Sequence, residues 1–217
     1  MQDTNYYSSI RQEIYPYIPQ NIRKTLDVGC GSGEFSKFLK TERDVETWGI
    51  EMVESVAEKA KNNIDNVLIG TYESVFNTLP ENYFDCVFFN DVLEHMPNPE
   101  DCLMKLRDKL QENATIIASI PNVRHLSILK EFLIKKDWRY RDFGILDRTH
   151  LRFFTRKSIG RMFSECGYNY KLTGLNKGKD SWKCDLLNIS TLGLLFNDIK
   201  YIQYIVVAHA KQHSKIL

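Results

Sequence analysis

Apolar and polar positions change rhythm repeatedly along this chain. Short apolar runs of strand length occur at 25–28, 45–50, 67–69, 84–90 and 114–120. Between them, apolar residues recur every three or four positions, which places them on one face of a helix: about 33–41, 52–63 and the segment after Asn98. The run Phe84-Asp-Cys-Val-Phe-Phe-Asn90 is almost continuously apolar and predicts a central strand buried on both faces. Asn98-Pro99-Glu100-Asp101 predicts a helix start, with an Asn cap, Pro in the first turn and two acids at the positive end. That helix places Leu103, Leu106 and Leu110 on one side. Strands alternating with helices predict an α/β fold with helices on both faces of one sheet.

The alternation breaks after Pro121, which stops the fifth strand. Residues 122–150 read as an insertion, with a helical stretch at 126–136 and a polar, aromatic loop at 138–150. An interruption here suggests a lid or acceptor-side element. Thr155 then caps a helix that runs to Cys166 and stops at Gly167. Two β-rich pieces, 168–175 and 201–208, suit a closing hairpin-like pair with one member antiparallel to the rest, and the stretch between them reads as irregular. A first helix fits residues 8–17.

Bulk properties narrow the class. A length of 217 residues and an apolar fraction of 43% suit one globular domain over 1–217. No apolar run reaches bilayer-spanning length, and Met1 to Tyr7 carries no signal-peptide pattern. The five cysteines are scattered and lack C-x-x-C spacing, which fits free thiols in a reducing compartment and a cytoplasmic protein. A net charge of +1 offers no global attraction for nucleic acid.

The most informative segment is Thr25-Leu-Asp-Val-Gly-Cys-Gly-Ser-Gly-Glu-Phe-Ser36. It reads as a strand, a glycine-rich turn and the first turn of a helix whose free N–H groups suit an anionic ligand group. Asp27 closes the strand, and Glu51, about 20 residues on, closes the next one. A carboxylate there accepts both hydroxyls of a ribose. The spacing is G-x-G-x-G with an acid just before the turn, which departs from the G-x-G-x-x-G of nicotinamide enzymes.

Three phrases in order, Leu26 to Gly33, Gly49-Ile-Glu51 and Phe84 to Pro99, resemble the class I S-adenosylmethionine-dependent methyltransferases over roughly residues 20–120. The phrase Gly144 to Thr155 resembles a narrower bacterial branch linked to surface-polysaccharide (O-antigen) synthesis. The resemblance implies a Rossmann-like, mostly parallel seven-stranded sheet with an antiparallel last strand. It implies S-adenosylmethionine as cofactor, with S-adenosylhomocysteine as product. Asp27, Gly29, Cys30, Gly31 and Gly33 would wrap the methionine part, Glu51 would hold the ribose and Met52 would pack near the adenine. Gly70-Thr71-Tyr72 would flank the adenine, and Asn90, Asp91 and Leu93 would line the methionine side. Family members often carry an acid where this chain has Thr71, so that contact must come from backbone, Tyr72 or Glu73.

Methylation of an oxygen requires the loss of a proton, to a histidine or with the help of a metal ion. Asp91, Glu94 and His95 stand at i, i+3 and i+4, and His150 is the natural partner from the insertion; Glu94, His95 and His150 are the candidate catalytic set. Asp91, Glu94, His95 and His150 are also weak candidates for a divalent metal, because the pattern resembles two groups of metal-using O-methyltransferases. In one of these, which acts on RNA ends, an acid-x-x-Glu-His motif and a later His bind the ion. In many metal-free members the Leu-Glu-His phrase only shapes the acceptor pocket. His125 is a further candidate base. Tyr6 and Tyr7 could form a lid within residues 1–20, with Arg11 reaching the methionine carboxylate. The basic-aromatic run Lys135 to Arg141 could bind phosphate, a nucleotide-sugar or RNA, and Arg148 and Arg152 could pair with an anionic acceptor. The leading expectation is O-methylation of a small-molecule or glycan acceptor. The alternatives are a metal-dependent RNA-end 2′-O-methyltransferase and a non-catalytic cofactor-binding protein.

Overall fold

The computed structural model describes residues 11–175 and 181–211. In chain order the strands are β1 (Lys24–Val28), β2 (Glu46–Glu51), β3 (Asn66–Ile69), β4 (Phe84–Asn90), β5 (Leu110–Pro121), β6 (Tyr168–Leu175) and β7 (Gln203–Ala210). The helices are α1 (Glu34–Glu42), α2 (Glu54–Ala60), the short α3 (Tyr72–Val75), α4 (Pro99–Leu106), the short α5 (Leu126–Leu129), α6 (Arg156–Glu165) and α7 (Ser181–Ser190). The seven strands form one sheet in the order β3-β2-β1-β4-β5-β7-β6. β1 to β5 run parallel, and β7 lies antiparallel between β5 and β6.

The pleat explains how both faces are covered. Along β4, Val87 and Phe89 point into a core shared with Leu103 and Leu106 of α4 and Ile159 and Phe163 of α6. Cys86 and Phe88 point the other way, onto Phe35 and Leu39 of α1 and onto Ile14. Successive side chains of a strand face opposite sides, so a strand sandwiched between helix layers must be apolar throughout. Strand order reverses between β1 and β4. Their carboxyl ends therefore diverge and open a crevice there, where ligands of open α/β sheets bind.

Several local expectations change. The first helical piece, as far as it is described, is a 3₁₀ segment over Gln12–Tyr17 that contains Pro16. Proline removes a backbone donor and disfavours a longer α-helix, while the fully buried Ile14 still anchors the segment. β5 begins at Leu110, earlier than expected, because its polar start Gln111-Glu112-Asn113 carries a register shift against β4. The insertion helix is shorter than read and passes into a π-turn over Lys130–Ile134. The stretch between the last two strands holds α7, whose Leu186 and Ile189 are exposed and so give no one-sided apolar stripe to read. The five cysteines are free. Among the described residues no helix is long and apolar enough to cross a membrane. Tyr6 and Tyr7 lie outside the described residues.

α6 begins where the sequence placed it, because Thr155 accepts from the Ser158 N–H at 3.2 Å and the Ser158 hydroxyl accepts from the Thr155 N–H at 2.9 Å. Thr155→Ala is expected to cost about 1 kcal/mol. Melting of the variant should fall by about 2–4 °C, with cofactor affinity unchanged; an unaltered melting curve would remove this cap from the account.

Candidate active site

The site is built on the carboxyl ends of β1, β2 and β4. After β1 the chain turns through Gly29, Gly31 and Gly33, each with a positive φ. At Gly29, φ is +72°, and a Cβ there would lie 2.6 Å from Val92 Cγ2, so no other residue fits without displacing the segment after β4. The Gly29 and Cys30 N–H groups both donate to the Ile50 carbonyl, at 2.8 and 3.0 Å. Glu51 completes the turn from the next strand, accepting from Gly31 N–H at 3.0 Å and Val53 N–H at 2.8 Å. A carboxylate offers about four acceptor positions. Two are spent on the backbone, which leaves Glu51 capacity for a pair of ligand hydroxyls.

Beside the turn, Asp27 is buried, and burial pushes its carboxyl up to about 7, opposed by the nearby positive charge of Arg11. Asn90 Nδ2 approaches Asp27 Oδ1 at 3.5 Å, while Asn90 Oδ1 is buried with no hydrogen-bond partner. Two acceptors side by side at the crevice suit a ligand ammonium or other N–H donor. On the β2–β3 side, Met52 (68% exposed) and Ile69 present apolar surface where their strands end, and Glu51 pairs with Ile69 in the sheet. That surface suits a flat apolar ring.

Three expected contacts need correction. The Tyr72 side chain is buried in the main core against Phe76, so its ring cannot flank a ligand at the crevice. Leu93 is likewise fully buried in that core, drawn in by its place in a tight 3₁₀ turn. Cys30 turns its thiol toward Gly49 and Ile64, so only its backbone belongs to the turn. Thr71 caps α3 by accepting from Ser74 N–H at 3.3 Å. The sequence reading missed Ile69 and Val53, although their positions beside Gly70 and Glu51 at strand ends were the available signal.

Beyond β4, Asp91 takes a left-handed conformation with φ 55°. Its carboxylate accepts from Ser119 Oγ at 2.7 Å and from Arg11 Nη1 at 2.6 Å. Arg11, expected to reach for the cofactor, is thus engaged with Asp91 and also lies 3.9 Å from Glu13. A 3₁₀ turn over Leu93–His95 follows, and the Glu94 carbonyl accepts from the N–H groups of Leu151 and Arg152, at 2.9 and 3.0 Å. These two bonds carry the insertion's His150 back to the β4 end. The His95 and His150 rings meet edge to face at 4.7 Å, and His150 Nε2 lies 3.9 Å from Glu94 Oε1.

The two imidazoles have defined tautomers. His150 Nδ1 lies 3.0 Å from the Ile145 carbonyl, which can only accept. His95 Nδ1 lies 3.2 Å from the Thr149 carbonyl and 3.1 Å from Thr149 Oγ1, whose own proton goes to Asp147 Oδ1. Both Nδ1 atoms therefore carry the hydrogen, and both Nε2 atoms keep a lone pair. Burial pushes Glu94 well above the usual carboxylate range, with the Asp91 charge adding to it, and burial lowers His150. His150, Glu94, Asp91, Asp147, Ile145 and Ile202 line a cavity of about 110 Å³.

Other candidates have structural duties. His125 caps α5. Trp138 packs edge to face on Phe153, Arg141 pairs with Glu131 and Arg148 with Asp142, while Arg152 donates to the Pro97 carbonyl. The basic-aromatic run is thus anchored through its Trp and one of its arginines.

A family model described as a methyltransferase domain matches residues 2–172. The mitochondrial ubiquinone biosynthesis O-methyltransferase of Schizosaccharomyces pombe is 30% identical over 107 residues, covering 45% of this chain and 37% of that protein. The 27-O-demethylrifamycin SV methyltransferase of Amycolatopsis mediterranei is 32% identical over 81 residues, covering 35% and 30%. The matched stretch thus spans about a third of these relatives' length. Among solved structures, a SAM-dependent methyltransferase from Archaeoglobus fulgidus superposes with a TM-score of 0.68 at 20% identity, covering 95% of this chain and 94% of that one. Another from Thermotoga maritima gives 0.65 at 20% identity, covering 94% and 89%. These two establish the shared fold.

The buried Asp27 gives a prediction with a definite sign. Its folded pKa is raised, so the stability it contributes is present below the unfolded value near 4 and is lost as pH rises through about 7. Asp27→Asn is therefore expected to stabilise the ligand-free protein at pH 8, by about 2–4 kcal/mol at most, while weakening cofactor binding. Thermal melts at pH 5 and 8 beside calorimetry would check this. A variant destabilised at pH 8 would contradict it.

Proposed function

The chain belongs to the methyltransferase-domain family, and on that footing we propose that it methylates an oxygen of a small-molecule or glycan acceptor with S-adenosylmethionine as donor. The donor, when bound, supplies an electrophilic methyl on a sulfonium. The residues at the strand ends fit it: Glu51 has acceptor positions left for ribose hydroxyls, Asp27 and Asn90 Oδ1 for an ammonium, and Met52 and Ile69 apolar surface for the adenine. The turn at Gly29, Gly31 and Gly33 brings backbone close to that ligand without side chains in the way. Its backbone at Cys30 and the Gly70-Thr71-Tyr72 turn complete the set, with Asp91 holding Arg11 over the crevice.

The observation that carries the oxygen assignment is the Glu94–His95–His150 group beside the cavity. Transfer to a hydroxyl needs a proton acceptor at hand and water kept out. Here two imidazoles hold free Nε2 lone pairs in a largely buried setting, oriented by backbone carbonyls. The two curated relatives are both named as acting in O-methyl chemistry, which favours the same acceptor atom. A glycan or sugar-nucleotide is the leading acceptor class, on the likeness of Gly144 to Thr155 to the polysaccharide-linked branch. A cytoplasmic, single-domain enzyme is part of the same reading, with residues 1–20 as lid and 122–150 shaping the acceptor side.

Two substitutions separate the cofactor half from the acceptor half. Glu51→Gln is expected to weaken S-adenosylhomocysteine binding by about tenfold or more and to lower the melting temperature as well, because Gln keeps only one acceptor oxygen for the Gly31 and Val53 N–H groups; unchanged calorimetry would remove the ribose contact. His150→Ala is expected to abolish transfer to acceptors in a native cell extract supplied with labelled donor, while cofactor affinity stays within about twofold. Retained product in mass spectra would take His150 out of the mechanism.

A further inference from the structure

We propose that the cavity beyond β4 takes the reacting edge of an uncharged, hydroxyl-bearing acceptor, such as a neutral sugar ring, with Gln203 as its hydrogen-bond donor. This rests on the oxygen-methylating function above and adds to it the charge and hydrogen-bonding character of the acceptor.

Gln203 opens β7, where the last strand pair reaches the site. It stands opposite Pro121 of β5 on one side and Leu175 of β6 on the other. The Ile202 N–H donates to the Leu175 carbonyl at 3.0 Å, and the Asn122 N–H donates to the Ile202 carbonyl at 2.9 Å. The backbone at Gln203 is thus fixed from both neighbouring strands, and a side chain on such an element is aimed more precisely than one on a loop. Its Nε2 is buried without a hydrogen-bond partner, and the residue lines the cavity. Buried polar atoms nearly always find a partner, so this donor calls for an acceptor atom from a ligand.

The rest of the lining defines that ligand. Pro121, Ile145 and Ile202 supply apolar wall, the usual background of a small-molecule pocket. The other polar side chains are acids and a histidine: Asp91, Glu94, Asp147 and His150. Neither oxygen of Glu94 has a hydrogen-bond partner although the residue is 1% exposed, and His150 presents the Nε2 lone pair. Among the described residues no lysine or arginine lines the cavity, and the nearby Arg11 is engaged by Asp91 at 2.6 Å. A carboxylate or phosphate would enter against three acidic side chains with no cation of its own, an opposition of like charges that excludes such partners. An ammonium would suit the acids but has no lone pair for Gln203. A hydroxyl donates and accepts at once, so two neighbouring hydroxyls meet both Gln203 and the Glu94–His150 side. The cavity, about 110 Å³ against the roughly 10–15 Å³ that one water needs, has room for such an edge. Charged parts of a larger acceptor, such as nucleotide phosphates, then lie outside it.

The test supplies the native chain with labelled donor and a native cell extract, and reads the methylated product by mass spectrometry before and after mild alkali. An alkali-stable methyl ether beside a free hydroxyl is expected. Neutral methyl hexopyranosides added in excess should suppress labelling about tenfold more effectively than glucuronic acid. Gln203→Met, close in shape to the native residue, should raise the acceptor KM about tenfold and leave kcat within about twofold. Gln203→Glu, which removes the donor and adds a fourth acid, should raise KM further. S-adenosylhomocysteine affinity and melting of both variants serve as folding controls. An alkali-labile methyl ester, equal suppression by glucuronic acid, or a KM unmoved in both variants overturns the proposal and leaves oxygen methylation standing. Methyl found only on nitrogen or carbon, or no labelled product while S-adenosylhomocysteine still binds, removes the oxygen reading and this proposal with it.

Discussion

The Glu51 carboxylate accepts from the Gly31 and Val53 N–H groups and so ties the turn after β1 to the end of β2. Hydrogen bonds of this charge-assisted kind contribute about 1.5–3 kcal/mol each, and here they add to the bonds that the Gly29 and Cys30 N–H groups make to the Ile50 carbonyl in holding the left-handed turn. Both carboxylate oxygens are oriented before any ligand arrives, and their remaining lone pairs point outward from strand ends that the sheet itself holds rigid. The crevice is therefore set by sheet topology and its chemistry by one side chain. Asp27 and Asn90, on the neighbouring strands, extend the same row of acceptors toward the acceptor side.

The second half of the site depends on a different device. His150 belongs to the insertion, more than fifty residues beyond His95, and the contact between them is made by backbone. The Glu94 carbonyl binds the Leu151 and Arg152 N–H groups, and the Thr149 carbonyl meets the His95 ring. The insertion thus folds back onto the β4 end as a clamp, with Ile145, Leu146, Trp138 and Phe153 packed behind it. Side chains on such a loop hold their geometry because the loop is itself anchored by a small core.

Much of this could be read in the chain. That Asp27, the glycine turn and Glu51 meet at neighbouring strand ends could be read because their spacing reflects strand length and strand order, which are local. Phe84 to Asn90 announces the central strand because burial on both faces demands apolar residues throughout. The failures share a cause. Tyr72 and Leu93 follow strand ends, as site residues do, but nothing in a single sequence says that their side chains turn inward to the core. Asp91 looked like a fourth member of the Glu94-His95 set, and only the fold could place Arg11, some eighty residues earlier, against it. The histidine tautomers were illegible for the same reason, since they rest on the carbonyls of Ile145 and Thr149. α7 was missed because its apolar residues do not gather on one face.

The central claim is that the ends of β1, β2 and β4 form one pre-oriented pocket for the nucleoside and amino-acid ends of a single cofactor. Isothermal titration of the native chain with S-adenosylhomocysteine addresses it most directly. The account predicts saturable one-to-one binding that is lost when the free adenosine and homocysteine halves are offered separately at equal concentration. Absence of saturable heat up to about 1 mM ligand would contradict it.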